Sequence, residues 1–114
     1  MEENIKILID EEPKDKKSVL FKVNVKNKCL KRPQVLYLLA LQTIYAIKND
    51  ELLAKRPEID FLLRLAKTDQ IYQAKDLCSG NDHTIYVLKE KAAYEFNESD
   101  LEEAELGALV VSEK

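Results

Sequence analysis

The stretch PEIDFLLRLAKTDQIYQAKDLC, residues Pro57–Cys78, decides the fold because it predicts two short helices separated by a tight break at Lys67–Asp69. In the first helix, apolar side chains recur at the spacing of one helical face. These are Ile59, Leu62, Leu63 and Ala66. Asp60 and Arg64 form an i,i+4 acid-to-base pair and are expected, with Lys67, on the opposite, polar side.

The second helix of this stretch is expected to begin at Thr68, a good N-cap residue, followed by Asp69, whose charge suits a helix N-terminus. Its apolar positions predict the buried face. They are Ile71, Ala74, Leu77 and Cys78. The residues alone therefore predict two core helices of a small domain.

The composition is that of a soluble globular chain: 114 residues, 34% charged and 46% hydrophobic, with a net charge of −3. This length predicts one domain, residues 1–114, with a core that needs neither metal nor disulfide. The chain has no run of transmembrane length and no signal-peptide pattern, so we expect a cytoplasmic protein. Cys29 and Cys78 are isolated in apolar surroundings, and reduced, buried thiols are favoured over a disulfide.

Between the N-terminus and Leu88, three segments predict strands. Ile5–Ile9 is a short apolar run, and Val19–Val25 alternates between an apolar face and Lys22 and Asn24. The short polar segment between these two permits a hairpin. Thr84–Leu88 predicts a third strand after the turn at Ser79–Asp82.

The most hydrophobic segment, Gln34–Lys48, predicts a helix whose polar residues do not gather on one side. Such a helix is either central to its own domain or covered by a partner. We expect a partner surface here, with Leu38, Leu41 and Tyr45 among its contacts. The alternative is that a sheet covers one side and the two following helices cover the other.

Near the C-terminus, Ser99 is expected to N-cap a short acidic helix ending at Glu105, followed by a β-type segment, Leu106–Val111. The order β-β-α-α-α-β-α-β then predicts an α+β fold. It is a single two-layer domain with a small mixed or antiparallel sheet packed against three to four helices.

Residue types that carry common catalytic chemistry are scarce. His83 is the only histidine, and the two cysteines form no C-x-x-C motif, so no metal site or catalytic residue is predicted. Gly80 and Gly107 are the only glycines, which excludes the usual phosphate loop and dinucleotide fingerprint. A Cys78–His83 pair is conceivable, but packing is the better interpretation of this cysteine, and His83 is expected to be exposed and inert. We therefore expect a binding protein that is not an enzyme and needs no cofactor.

Charge is unevenly distributed along the chain. Lys14–Arg32 carries eight basic residues against Asp15, whereas Glu95–Glu113 carries seven acidic residues and no basic one. Such asymmetry predicts either a surface that faces a polyanion or simply a solvated face.

The segment DFLLRLAKTDQIYQA, Asp60–Ala74, resembles the signature of the small kinase-binding subunit of the KEOPS (EKC) complex. That signature joins an acidic residue, aliphatics, often an Arg, a short polar break, Gln-Ile and a following Ala. Here these are Asp60, Leu62, Leu63, Arg64, Lys67–Asp69, Gln70, Ile71 and Ala74. The family more often has Glu at the first position and Ser-Gly at the break. The resemblance covers roughly Gln34–Leu88 and Asp100–Val111, and between them this chain is short, as though a helix were lost.

The resemblance implies a non-catalytic accessory subunit that docks on the atypical kinase/ATPase subunit of KEOPS. It also implies that the protein helps recruit tRNA for threonylcarbamoyl adenosine modification, with contacts to the 3′ end. The implied partners are that kinase and tRNA, with no membrane and no small-molecule cofactor.

Two sets of site residues follow as expectations. The tRNA-binding set surrounds the break between the two helices and consists of Arg64, Lys67, Gln70 and Lys75. The partner-binding set lies on the apolar helix and its neighbour and consists of Leu38, Leu41, Tyr45, Ile59 and Leu62. Asp69 opposes phosphate binding at the break, and Lys14–Arg32 is the rival basic surface.

Two other interpretations remain open. One is a generic protein-interaction or dimerisation module without RNA binding. The other is a small hydrolase with unrecognised chemistry, which the scarcity of catalytic residue types disfavours.

Overall fold

A computed structural model describes residues 4–52 and 55–112. Its strands are β1 (Lys6–Ile9), β2 (Val19–Val25) and β3 (His83–Leu88). Its helices are α1 (Pro33–Lys48), α2 (Pro57–Ala66), α3 (Ile71–Cys78) and α4 (Glu98–Ser112). This is the predicted α+β fold, with a three-stranded antiparallel sheet and four helices.

The sheet has the order β1-β3-β2, so the last strand in sequence is the central one. Both pairings are antiparallel, with Ile7 opposite Val87 and Val23 opposite Ile85. The hairpin between the first two strands is therefore wrong, because β3 lies between them. The β1–β2 connection instead crosses one face of the sheet, where Pro13 is buried and shares a depression with Leu8 and Leu88.

The other face of the sheet meets the helices. Phe21, Val23 and Val25 of β2 are buried, as the alternation predicts. The ring of Phe21 packs at 5.6 Å, centroid to centroid, on the ring of Phe61 from α2. This contact joins the sheet to the helical layer through two large apolar side chains.

Helix α1 is central to the domain. It packs against α2, α4 and β1, and its buried residues are Val35, Leu36, Leu39, Ala40, Thr43, Ile44 and Ala46. The alternative, in which the domain itself encloses most of α1, therefore agrees with the structure, except that α4 rather than α3 lies beside α1. One narrow side of α1, which includes Leu38, Leu41 and Tyr45, is only partly buried and faces outward.

Helix α4 differs most from its prediction. It runs from Glu98 to Ser112, so the β-type segment expected at Leu106–Val111 is helical. Its start is held by Asn97 rather than Ser99, because Asn97 and Asp100 exchange side-chain to backbone hydrogen bonds of 2.8 and 3.1 Å. A Cβ at Gly107 would lie 2.8 Å from the Arg64 carbonyl oxygen, so glycine allows α4 to approach α2 closely.

Candidate nucleic-acid and partner interface

The break between α2 and α3 is made by one residue in the left-handed conformation. Lys67 has φ 58° and ψ 44°, and its backbone N–H donates to the Leu63 carbonyl at the end of α2. The Thr68 N–H donates to the same carbonyl at 3.2 Å. The chain therefore turns sharply at the predicted place, and a lysine occupies the conformation that glycine usually takes.

Helix α3 begins later than predicted. Gln70 is its N-cap residue and Ile71 its first residue, so Thr68 is not the N-cap. The Thr68 hydroxyl still accepts a hydrogen bond from the Gln70 N–H at 3.2 Å and donates to Gln73 Oε1 at 2.7 Å. Asp69 Oδ1 accepts from Gln70 Nε2 at 3.3 Å. These contacts hold the break in one shape.

The buried face of α3 is narrower than predicted. Ala74 and Cys78 are buried, but Ile71 and Leu77 are each more than 40% exposed. Helix α3 packs mainly on α2 and also contacts the segment Asn27–Cys29, so only two of its four predicted positions are enclosed.

Arg64 does not lie on an exposed polar stripe. It is only 5% exposed, and its Nε and Nη2 donate to the two oxygens of Asp60 at 2.6 and 3.3 Å. Thr43 of α1 donates to the same carboxylate at 2.7 Å. The side of α2 that the sequence pattern indicates as polar faces α1 and α4, and the paired charges satisfy each other there. Arg64 is therefore not accessible to a phosphate.

The other three residues of the predicted tRNA-binding set lie near the surface of the α2–α3 pair. Lys67 is half-buried, whereas Gln70 and Lys75 are exposed. The structure thus brings Lys67 and Gln70 together at the break and places Lys75 at the second turn of α3.

Two lysines outside the predicted set join Lys67. Lys28 and Lys31 follow β2, and together with Lys67 they line a depression of about 250 Å³ that we call the basic depression. Its remaining walls are apolar and comprise Leu65, Ala66, Leu77, Cys29 and Cys78. Part of the Lys14–Arg32 surface, the rival in the sequence, is therefore adjacent to the break.

An acidic side chain from α4 contacts two of the lysines that line the basic depression. Glu103 Oε1 lies 2.8 Å from Lys67 Nζ and 3.2 Å from Lys31 Nζ. The hydrogen bond from Lys67, together with Lys31, holds the pKa of the Glu103 carboxyl below its usual range despite some burial. Glu103 is therefore ionised at neutral pH and neutralises part of the positive charge.

The two cysteines form a disulfide, so the prediction of free thiols is wrong. Cys29 and Cys78 lie 5.5 Å apart at their Cα atoms and are separated by 49 positions in sequence. The pairing of β2 with β3 was not predicted from the sequence. In this antiparallel pairing Val25 lies opposite His83, so Cys29, just after β2, and Cys78, just before β3, come close together. The disulfide fixes Lys28 beside α3 and leaves Cys78 no thiol for a Cys–His pair.

Four of the five predicted partner-binding residues are at least partly exposed, and the fifth is buried. Leu38 and Leu41 are half-buried and Tyr45 is 44% exposed, and all three lie on the outward side of α1. Ile59 is half-buried, but Leu62 is only 2% exposed. Leu62 is therefore a core residue that a partner cannot reach, because its side of α2 packs into the domain.

His83 is more engaged than expected. Its Nδ1 lies 2.6 Å from Asp10 Oδ2, and its Nε2 lies 2.7 Å from Asn27 Oδ1. The hydrogen bonds from His83 and from the Thr84 N–H hold the pKa of Asp10 below its usual range. These contacts join the end of β1 to the start of β3 and serve the fold.

Among residues 4–52 and 55–112, no three His, Cys, Asp or Glu side chains are grouped as a metal site would require. Within the same residues, every helix is too short or too polar to cross a bilayer. Comparison with protein-family models and with curated proteins gives no match. The basic depression and the neighbouring α2–α3 break offer cationic, amide and apolar groups, which suit an anion that carries an organic group.

Proposed function

We propose that this protein is a non-catalytic accessory subunit of the KEOPS complex, docking on the atypical kinase/ATPase subunit and helping to recruit tRNA for threonylcarbamoyl adenosine modification. The supporting observation is that the residues that carry the resemblance each have a defined place around one turn. Asp60 and Arg64 pair in the core, Lys67 makes the left-handed break, Gln70 caps α3 and Ala74 is buried against α2. A motif of this kind specifies a local shape, which is what a family signature without catalytic residues would preserve.

The kinase-docking surface is the outward side of α1. Leu38, Leu41 and Tyr45 combine partial burial with exposed apolar area, as interface residues do in a free subunit. Ile59 lies at the start of the neighbouring helix and extends this set. The contacts proposed for the kinase are thus four residues on two adjacent helices.

Co-purification with the kinase subunit tests this surface. We expect Tyr45→Asp and Leu38→Asp to abolish the complex, because a charge would lose its hydration on docking. Tyr72→Asp is the matched control, since Tyr72 is 70% exposed on α3, a helix that packs mainly on α2. If both α1 variants remain folded by circular dichroism and still co-purify with the kinase, the interface lies elsewhere.

The tRNA contacts are proposed for Lys67, Gln70 and Lys75, and Arg64 is removed from the set because of its burial. Lysines can contact phosphates, and the Gln70 amide has both a donor and an acceptor for a nucleotide. Charge reversal of Lys67 and Lys75 should weaken tRNA binding and flatten its salt dependence by roughly one phosphate contact per residue. Reversal of Lys16 and Lys17, which are exposed before β2, should have a smaller effect. Equal tRNA binding by the Lys67/Lys75 variant and the parent at two salt concentrations would refute this assignment.

A protein-interaction or dimerisation module without RNA binding is the second candidate. The observation that favours it is the neutralisation of Lys31 and Lys67 by Glu103, which reduces the positive potential where RNA would bind. Failure of the parent to bind any tRNA, with an intact kinase complex or a dimer in solution, would favour this candidate.

We also propose a cytoplasmic location. The disulfide does not conflict with this proposal, because intracellular proteins of hyperthermophiles are an exception to the rule that cytosolic thiols are reduced. The high content of charged residues and the two glycines are consistent with such a source.

A further inference from the structure

In the fold, the acidic and basic segments of the sequence partly neutralise each other. The acidic C-terminal helix lies beside the basic segment that follows β2, and two contacts join them. Glu103 bridges Lys31 and Lys67, and Asp100 Oδ1 lies 3.5 Å from Arg32 Nε. The charge asymmetry therefore does not leave a fully open cationic surface.

The bridge at Glu103 has the geometry of a bound anion. Two ammonium groups approach the same carboxylate oxygen at 2.8 and 3.2 Å, as two lysines would approach one oxygen of a phosphate group. Lys28 lines the same depression as these two lysines. The exposed Leu77 gives the depression an apolar wall on which the organic part of a nucleotide can lie.

We propose that Glu103 is an internal competitor for RNA phosphate: its carboxylate holds Lys31 and Lys67 in the free protein, and a phosphate of single-stranded RNA displaces it in the basic depression. The inference rests on the proposed function and adds the regulation of its RNA site. It assigns Lys28 and Lys31 to that site, beside Lys67. Glu103 thereby lowers the affinity for RNA and prevents anions that bind the lysines less tightly than it does from occupying the depression.

The surroundings of Glu103 permit this exchange. Its side chain is 28% exposed and those of the two lysines are 33% exposed, so all three can rotate into solvent without disturbing the core. Exposed ion pairs contribute little net free energy, because water solvates the separated groups almost as well. An RNA phosphodiester carries one negative charge, as the carboxylate does, and its attached nucleoside can also contact Leu77, so it can replace Glu103 between the lysines.

The test measures binding of a short oligouridylate RNA and of inorganic pyrophosphate to Glu103→Gln. The matched control is Glu105→Gln, which removes the same charge from an exposed position of the same helix. We expect Glu103→Gln to bind the RNA about threefold to fivefold more tightly than the parent, and Glu105→Gln to bind it as the parent does. The salt dependence of RNA binding by Glu103→Gln should also be steeper, by a slope of about 0.7 for each additional phosphate that the lysines neutralise.

A second variant identifies the cations involved. Adding Lys67→Gln to Glu103→Gln should remove the increase in affinity, because the released cation is then absent. Matching circular dichroism spectra will show that the variants share the parent's fold.

The outcomes separate the inference from the proposed function. If the parent binds tRNA but the two glutamate variants bind the oligouridylate equally, the inference is overturned and the proposed function stands. If pyrophosphate binding rises in Glu103→Gln without a rise in RNA binding, the depression is an anion site and its assignment to RNA is overturned. If neither the parent nor Glu103→Gln binds tRNA or oligouridylate, both the RNA role and the inference are overturned.

Discussion

Two carboxylates hold cationic side chains around the α2–α3 pair, and they differ in one respect. Asp60 Oδ1 lies 2.6 Å from Arg64 Nε, and Glu103 Oε1 lies 2.8 Å from Lys67 Nζ. The side chains of the first pair are 0% and 6% exposed, whereas those of the second are 28% and 33% exposed. The distances are nearly equal, so burial is what distinguishes the pairs.

Burial changes what each pair can do. The charges of Asp60 and Arg64 have lost their hydration, so each needs the other and neither can leave alone. Glu103 and its lysines keep contact with water, so ions or phosphates can replace any partner. The first pair therefore maintains the fold, and the second belongs to a surface that can exchange partners.

Removal of one member of the buried pair should have the largest effect. Asp60→Asn leaves the Arg64 guanidinium without a counter-charge in the core, and we expect the free energy of unfolding to fall by about 3–5 kcal/mol. Denaturant unfolding would measure this change. The double variant Asp60→Leu/Arg64→Met, which removes both charges, should recover much of the loss. A loss below about 1 kcal/mol for Asp60→Asn would show that the pair behaves like a surface pair.

Opening the disulfide should have the next largest effect. The Cys29–Cys78 bond joins positions 49 apart in sequence and ties the segment after β2 to α3. Reduction should lower the free energy of unfolding by about 2–4 kcal/mol. The Cys29→Ala/Cys78→Ala variant should show a similar loss and should no longer respond to the reductant. No difference between oxidised and reduced protein would mean that the bond does not constrain the unfolded chain.

The exposed pair should have the smallest effect, visible in acid. The folded pKa of Glu103 lies below the ordinary value of 4.5, so its contribution is complete above about pH 4.5 and is lost as pH falls through the folded pKa. We expect Glu103→Gln to reduce stability by at most about 1 kcal/mol at neutral pH and to show a shallower acid-induced loss than the parent. Glu105→Gln should follow the parent's pH curve. An equal acid-induced loss in the parent and Glu103→Gln would show that the bridge contributes nothing to stability.

Elements with strong local periodicity were predictable. The alternation of Val19–Val25, the helical spacing of Pro57–Ala66 and the apolar run of α1 all agree with the structure. In each, the signal lies within a few neighbouring residues. The break at Lys67–Asp69 was also located correctly, because three polar residues interrupt the apolar spacing there, but the left-handed conformation of Lys67 was not predicted.

The errors share a cause in tertiary contacts. Arg64 is buried because α4 lies against α2 at Gly107, and the sequence pattern of α2 alone contains no trace of α4. The Leu106–Val111 segment, whose two valines favour strands, is helical as part of α4, which packs along α1 and α2. Of the candidate site, Lys67, Gln70 and Lys75 could be placed from the helix break, whereas Lys28 and Lys31 join them only through the disulfide and the β2–β3 pairing.

The central position of β3 has a consequence for synthesis of the protein. Strands β1 and β2 leave the ribosome early, but their common partner, His83–Leu88, follows only after three helices. Both early strands therefore present unpaired backbone edges on the nascent chain until Leu88 has emerged. A chain that terminates before His83 would contain two strands with no partner and would be a target for aggregation or proteolysis, although most of its core residues had already been made.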